Sequence, residues 1–291
     1  MPPASQPHAL LRRLAMPLIH AALITFTALT MIPFAWMIAA AFKTREDFLR
    51  SIFLPAGDGF LGIAWDRLTV ENFVRLFTEL GIGRALLNSI FLASVTSLGA
   101  TLCCAMGGYA LAKYRYRARR PLTNLVLAAL IIPGPLLLAP GYQLLYQLGL
   151  LDTYAGLILP ALAPAFGVFL FRQAMLNSVP QELIEAARMD GAGEFRIFFT
   201  LVLPLVRPMV GAYLMITFLQ TWNNFINPQV VLQSSELFPL SVAINSLRGM
   251  YGTDYGLIMS GTLVSIAPVM CLFLLLQKEF ISGLTSGAVK G

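Results

Sequence analysis

The stretch ALLNSIFLASVTSLGATLCCAMGGYALA, residues 85–112, decides the fold class, because it holds no Asp, Glu, Lys or Arg from end to end. Crossing ~30 Å of hydrocarbon takes roughly 20 helical residues, and this run exceeds that. Ser89, Ala93, Ser97 and Thr101 recur every four residues within it, as do Gly99, Cys103 and Gly107. Such small-residue stripes let helices approach closely where lipid offers no hydrophobic drive to association. Working outward, five more apolar segments span 14–42, 122–145, 154–171, 205–226 and 255–280, none with an Asp, Glu, Lys or Arg in its middle. Hydrophobic residues make up 57% of the 291, charged residues 12%, and mean hydropathy is +0.74. A soluble domain needs a more charged surface. The expected fold is an all-α integral membrane protein with six transmembrane helices.

Many segments contain proline: Pro33, Pro133, Pro135, Pro160, Pro164 and Pro268. Neighbouring helices and Ser/Thr side chains re-satisfy the freed carbonyls in a bundle, so these read as kinks within spans. Charge counting sets orientation. With the N-terminus inside, the inner segments carry thirteen Lys and Arg and the outer ones seven, with the sharpest bias in the short loop Lys113 to Arg120. Both termini are therefore expected in the cytoplasm. Arg12 and Arg13 ahead of the first segment, and Ala39 to Ala41 at its end, also suit a cleaved signal peptide, although a signal core of ~7–15 residues is much shorter than this run.

Several function classes are disfavoured. The net charge of +6 is spread over loops rather than gathered on one face, so no nucleic-acid partner is expected. His8 and His20 have no second ligand nearby, and Cys103, Cys104 and Cys271 lie in apolar runs, giving neither a metal site nor a disulfide framework. No Gly-x-x-x-x-Gly-Lys-Ser/Thr phosphate loop occurs. Ion-coupled carriers usually place ionisable groups or broken-helix ion sites at mid-membrane; here a secondary carrier stays as the alternative from another class. Uncharged polar groups do occur, at Gln220, Asn223, Asn224 and Asn227. Read as one helix, Gln220 shares a face with Asn224 and Asn223 with Asn227. They suit either a path for a hydroxyl-rich solute or interhelical hydrogen bonds.

The loops differ in character. Residues 43–84 form an outer segment with a short amphipathic helix at Phe73, Leu76, Phe77 and Leu80 after the cap-like Thr69. Residues 228–254 form a polar outer loop. The inner loop 173–204 reads Asn177-Ser-Val-Pro-Gln-Glu-Leu-Ile-Glu-Ala-Ala-Arg-Met-Asp-Gly-Ala-Gly-Glu-Phe-Arg-Ile-Phe-Phe-Thr-Leu-Val-Leu-Pro204. Ser178 is placed to cap a helix, with Pro180 in the first turn and Gln181 completing a capping box. Glu182 and Glu185 sit near its positive end. Gly191 suits a left-handed stop after Asp190, and a second short helix is expected over 194–200. Alone, this pattern also fits an amphipathic connector on the lipid surface.

Glu185-Ala186-Ala187, Gly191 and Leu201-Val202-Leu203-Pro204 resemble the EAA loop of binding-protein-dependent ABC permeases, with Leu201 where the family usually has Ile. Leu87-Asn88-Ser89, Phe169-Leu-Phe-Arg-Gln173, Trp222-Asn223 and the ending Gly283 to Gly291 are similar to the carbohydrate, MalG-like branch, except that Asn224 stands where relatives often carry an acid. The resemblance implies the type I importer (MetI-like) permease fold in a bacterial cytoplasmic (inner) membrane. Residues 1–84 would form the N-terminal tail, first helix and external loop, 85–280 the permease core, and 281–291 a cytoplasmic tail. It implies a non-enzymatic subunit without its own cofactor, with ATP and Mg bound by two partner ATPase subunits. Glu185, Ala186, Ala187, Asp190, Gly191, Leu203 and Pro204 would form the coupling loop seated on them, and the tail near Lys290 would reach their interface. A second permease subunit and an extracytoplasmic solute-binding protein, probed by loop 228–254, complete the implied partners. The implied cargo is a sugar or oligosaccharide, with glycerol-phosphate or another polar solute as the alternative.

Overall fold

A computed structural model describes the backbone of residues 7–250 and 254–288, and side chains within 16–248 and 254–278. Among the described residues it is helical with no β-strand. The helices are α1 Pro7–Ala41, α2 Arg45–Arg50, α3 Glu71–Thr78, α4 Ile82–Lys113, α5 Arg119–Ala129, α6 Leu138–Gln147, α7 Tyr154–Ala161 and α8 Ala165–Ser178. They continue as α9 Gln181–Met189, α10 Glu194–Ile197, α11 Leu203–Leu205, α12 Arg207–Trp222, α13 Ile226–Val231, α14 Leu240–Met250 and α15 Tyr255–Ala288. Lys290 lies outside the described residues.

Four stretches among the described residues are long and apolar enough to span a membrane: Met16–Ala41, Ile82–Lys113, Tyr154–Ser178, which joins α7 to α8 across a short break, and Tyr255–Lys278. The count of six holds when two bent pairs are each taken as one span, which corrects the reading of segments 122–145 and 205–226 as simple helices. Between α5 and α6 the chain turns by 101°. Pro133 and Pro135 flank Gly134 there; each lacks an amide donor, and Pro133 disfavours helical geometry at Ile132 before it. Before α12 it turns by 85° at Val206. Pro204 and Pro208 bracket that bend, and a π-turn over Phe198–Val202 leads into it.

The chain forms two compact units. One is built on α1 to α3 with Leu247–Val264, and its polar groups secure helix ends. The last carbonyls of a helix lack intrahelical partners. Here the Ala41 carbonyl accepts from Asn72 Nδ2 (2.9 Å) and Ser260 Oγ (3.0 Å), and the Lys43 carbonyl accepts from Asn72 Nδ2 (2.9 Å). Arg75 pairs with Asp254 at 3.2 Å, and Asp254 accepts from the Leu257 amide at the start of α15. Buried Asp47 pairs with Arg67. On α3 the buried pair is Asn72 and Leu76, whereas Phe77 faces outward, so the inward face is rotated from the expected one toward the helix-capping asparagine. Thr69 Oγ accepts from the Glu71 amide at 3.0 Å. Replacing Asn72 with Leu takes the donor from the Lys43 carbonyl and leaves the Ala41 carbonyl with Ser260 alone, and is expected to cost about 1–3 kcal/mol, read as a lower melting temperature of the detergent-solubilised protein.

The other unit is built on Gly81–Ser246 and the rest of α15, with α4 packed between α8 and α12. The stripe Ser89, Ala93, Ser97 and Thr101 is buried along α4. Closest approach falls at Gly108, where a Cβ would lie 2.7 Å from the Arg172 backbone nitrogen, and at Gly167, where it would lie 2.0 Å from Tyr213 Oη. Cys104, Tyr109, Phe171, Met175 and Tyr213 continue into Ile184, Ile197, Phe198 and Val202 as one apolar cluster. The loop after α8 is thus rooted in the helix core.

Candidate functional site

Loop 173–204 forms a two-helix projection. α9 begins at Gln181 with Pro180 as its cap and no side-chain cap bond, because α8 runs on through Ser178. The expected Ser178 capping box is therefore not formed; Gln181 Nε2 donates instead to Glu185 Oε1 at 3.3 Å. The stop is as expected. Gly191 has φ +78°, its amide donates to the Arg188 carbonyl, and the Ala192 amide donates to the Ala187 carbonyl, both at 3.0 Å. These are the paired bonds of a Schellman stop. The helix expected over 194–200 is α-helical only to Ile197 and then widens into the π-turn, where Pro204 leaves the carbonyl four residues earlier without an α-helical partner.

Ile184 is fully buried and Ala187 packs on the same cluster, while Glu185, Ala186, Asp190 and Gly191 face outward. Leu183, Met189 and Phe195 are exposed as well, Met189 at 88%. One face therefore roots the helix, and the other offers a carboxylate, a methyl-sized step and an apolar residue. Leu203 packs at the cluster's margin, beside Pro204 at the bend.

A polar cluster that the sequence reading missed braces the projection. Arg188 Nε donates to Glu194 Oε1 at 2.6 Å and Nη2 to Oε2 at 3.2 Å. Tyr114 Oη donates to Glu194 Oε2 at 2.5 Å, and the Arg188 guanidinium lies 5.5 Å from the centre of the Tyr114 ring. The Arg188 bonds, then the Tyr114 hydroxyl, hold the Glu194 carboxyl below its usual range. Its charge-dependent stabilisation is therefore present above the ordinary carboxylate pKa and is lost only as pH falls through the lowered value. Lys113 Nζ donates to the Val179 carbonyl, and Arg119 Nε and Nη2 donate to the Leu111 and Ala112 carbonyls at 2.9 and 3.0 Å.

Toward the other end of α4 lies a cavity of about 370 Å³. Its polar lining comes from Ser89, Thr96, Tyr142, Thr221, Asn224 and Asn227, and no Lys or Arg contributes. The expected asparagine faces are not formed, because α12 stops at Trp222 and a new helix starts at Ile226. Asn224 Oδ1 accepts from the Asn227 amide at 3.2 Å across that break, which brings these two residues together at the cavity. Gln220 and Asn223 are exposed, and neither lines it. Beside the cavity, Asn88 Nδ2 donates to the Glu236 and Phe238 carbonyls at 2.9 and 3.0 Å, and the Leu240 amide donates to Ser89 Oγ at 2.7 Å. Asp152, with φ +55°, accepts from the Gln233 and Ser234 amides at 2.8 and 2.9 Å and from Ser234 Oγ. Those bonds, the Ser234 hydroxyl first, hold its carboxyl below the ordinary range. The start of loop 228–254 is thus tied to two neighbouring elements.

Residues 3–278 match the family described as binding-protein-dependent transport system inner membrane component. An arabinooligosaccharides transport system permease protein, AraQ, of Halalkalibacterium halodurans is 38% identical over 264 residues, covering 89% of this chain and 91% of that one. A lactose transport system permease protein, LacG, of Rhizobium radiobacter is 30% identical over 262 residues, covering 90% and 92%. The fold is similar to a chain in the crystal structure of a bacterial ABC transporter involved in the import of the acidic polysaccharide alginate. The TM-score is 0.78 at 20% identity, with 96% of this chain and 100% of that one covered. The matched span takes in the helices, the Gly191 turn and the cavity alike, and the chain belongs to the family of binding-protein-dependent transport system inner membrane components, as a multi-pass ABC importer permease.

Proposed function

We propose that this permease carries a neutral sugar or oligosaccharide inward, paired with a second permease subunit and supplied by an extracytoplasmic solute-binding protein. One of two separate ATPase subunits, which bind the ATP and Mg, docks on the outward face of α9 through Glu185, Ala186, Asp190 and the turn at Gly191. Leu203 and Pro204 lead that motion into the bend before α12. Both termini lie in the cytoplasm, the side on which the excess of Lys and Arg places loop 173–204.

One observation carries the docking reading: Ile184 is wholly buried while Glu185, Ala186 and Asp190, on the same short helix, are exposed. A connector lying on lipid would turn an apolar side outward and bury no residue in the helix core; here Ile184 is buried, and the exposed side mixes Glu182, Glu185 and Asp190 with Leu183 and Met189. The cavity supports the cargo class. Amide and hydroxyl groups meet the donors and acceptors of a carbohydrate. A phosphate ester calls for Arg or Lys, and the lining has neither.

Asn227 is exposed at the cavity wall, so replacing it with Leu spares the packing. Losing one or two hydrogen bonds to solute, at about 0.5–1.5 kcal/mol each, is expected to lower uptake at limiting sugar about tenfold with the membrane level of the subunit maintained. Uptake equal to wild type would remove Asn227 from the path.

A further inference from the structure

We propose that Arg188, Glu194 and Tyr114 form the joint through which a displacement of α9 reaches α4 and α12, two of the helices that line the cavity; this rests on the ATPase docking proposed above. Glu194 is a positioning residue in it. Its carboxylate is where three parts of the fold meet: α9 through Arg188, the helix beginning at Glu194 itself, and α4 through Tyr114 at its end and, more weakly at 3.5 Å, the Tyr109 hydroxyl. From Glu194 the chain runs through the π-turn and the 85° bend into α12, whose Thr221 lines the cavity. From Tyr114, α4 runs back to Thr96, Leu92 and Ser89, which line it too. At 1.5 Å per residue, Thr96 is about 27 Å along that helix from Tyr114.

Holding the base of the projection together does not require this cluster. Ile184, Ile197 and Phe198 already bury an apolar root there. The side chains of Arg188 and Glu194 remain 35% and 42% exposed, and ion pairs this exposed contribute little to stability. What the cluster adds is direction. A two-point guanidinium-carboxylate fork fixes relative orientation as a single contact does not, and the Tyr114 hydroxyl fixes that fork against α4. Arg188 and Glu194 also flank Gly191, whose positive φ makes the turn between them. The brace closes the angle that the turn would otherwise leave to one glycine.

The test is solute imported per ATP hydrolysed, measured on the complete reconstituted transporter with its binding protein. Glu194→Ala is expected to lower that ratio about tenfold and Tyr114→Phe about threefold. The double variant is expected to equal Glu194→Ala, because the hydroxyl's partner is already gone. A merely structural role would change the amount of assembled transporter and leave the ratio of the assembled fraction unmoved. An unchanged ratio for Glu194→Ala, or a double variant in which the two losses multiply, overturns the proposal. Should Glu194→Ala fail to assemble, Tyr114→Phe, which deletes one oxygen, decides by its own ratio. Failure of the docking reading is distinguishable, since it shows as full ATP-driven uptake by Glu185→Lys, whatever the ratios of the Glu194 and Tyr114 variants.

Discussion

Glu185→Lys is expected to lower ATP-driven uptake at least thirtyfold while the subunit still accumulates in the membrane. Glu185 is exposed, and its carboxylate accepts a 3.3 Å bond from Gln181. Substitutions at such positions usually move stability by within about 0.5 kcal/mol. At a docked interface the same change is far larger: a like-charge contact in place of an opposite-charge pair costs several kcal/mol, and every 1.4 kcal/mol is tenfold. Uptake into proteoliposomes, with the membrane level of each variant as denominator, checks it. Full uptake by Glu185→Lys would move the ATPase contact away from α9. Gly191→Val tests the same surface through the backbone, because open space surrounds a Cβ there and only the positive φ opposes a side chain.

The second large effect is structural. Gly108→Val is expected to destabilise the permease by about 3 kcal/mol or more, read as loss of folded protein from the membrane. The first carbon of the new side chain would sit 2.7 Å from the backbone nitrogen of Arg172, so a rotamer change cannot relieve the clash and α4 must separate from α8. Gly107→Ala is the control. Its Cβ would meet Val168 at 3.4 Å, and replacing a mid-helix glycine with alanine recovers about 0.5–1 kcal/mol of backbone entropy. Equal stability for the two variants would show that α4 and α8 do not meet as described.

The long apolar helices were legible because a run without charges, such as 85–112, has one stable setting in a bilayer. Gly191 was legible because helix stops depend on one local dihedral. The bends were not. Prolines are common in spans that remain straight enough to cross, so Pro133 and Pro204 mark weak points without saying how far the chain turns there. The asparagine pairing failed for a related reason: i,i+4 faces hold only while the helix continues, and α12 stops at Trp222. Arg188 and Glu194 are six residues apart, and their pairing follows once the left-handed Gly191 turn is drawn. Tyr114 is 80 residues from Glu194, and no local pattern places it there. Asn88 read only as part of a family signature, and Ser89 as that and as a packing position, yet both tie down loop 228–254.

The most direct measurement is site-specific photo-crosslinking from position 186 in the assembled transporter. Ala186 is exposed at the centre of the α9 face, so a photoreactive residue there fits without disturbing the core. The expected result is one adduct with the ATPase subunit, whose yield changes with bound nucleotide. An actively importing complex that gives no ATPase adduct from this position, only adducts with lipid, would contradict a permease driven through α9.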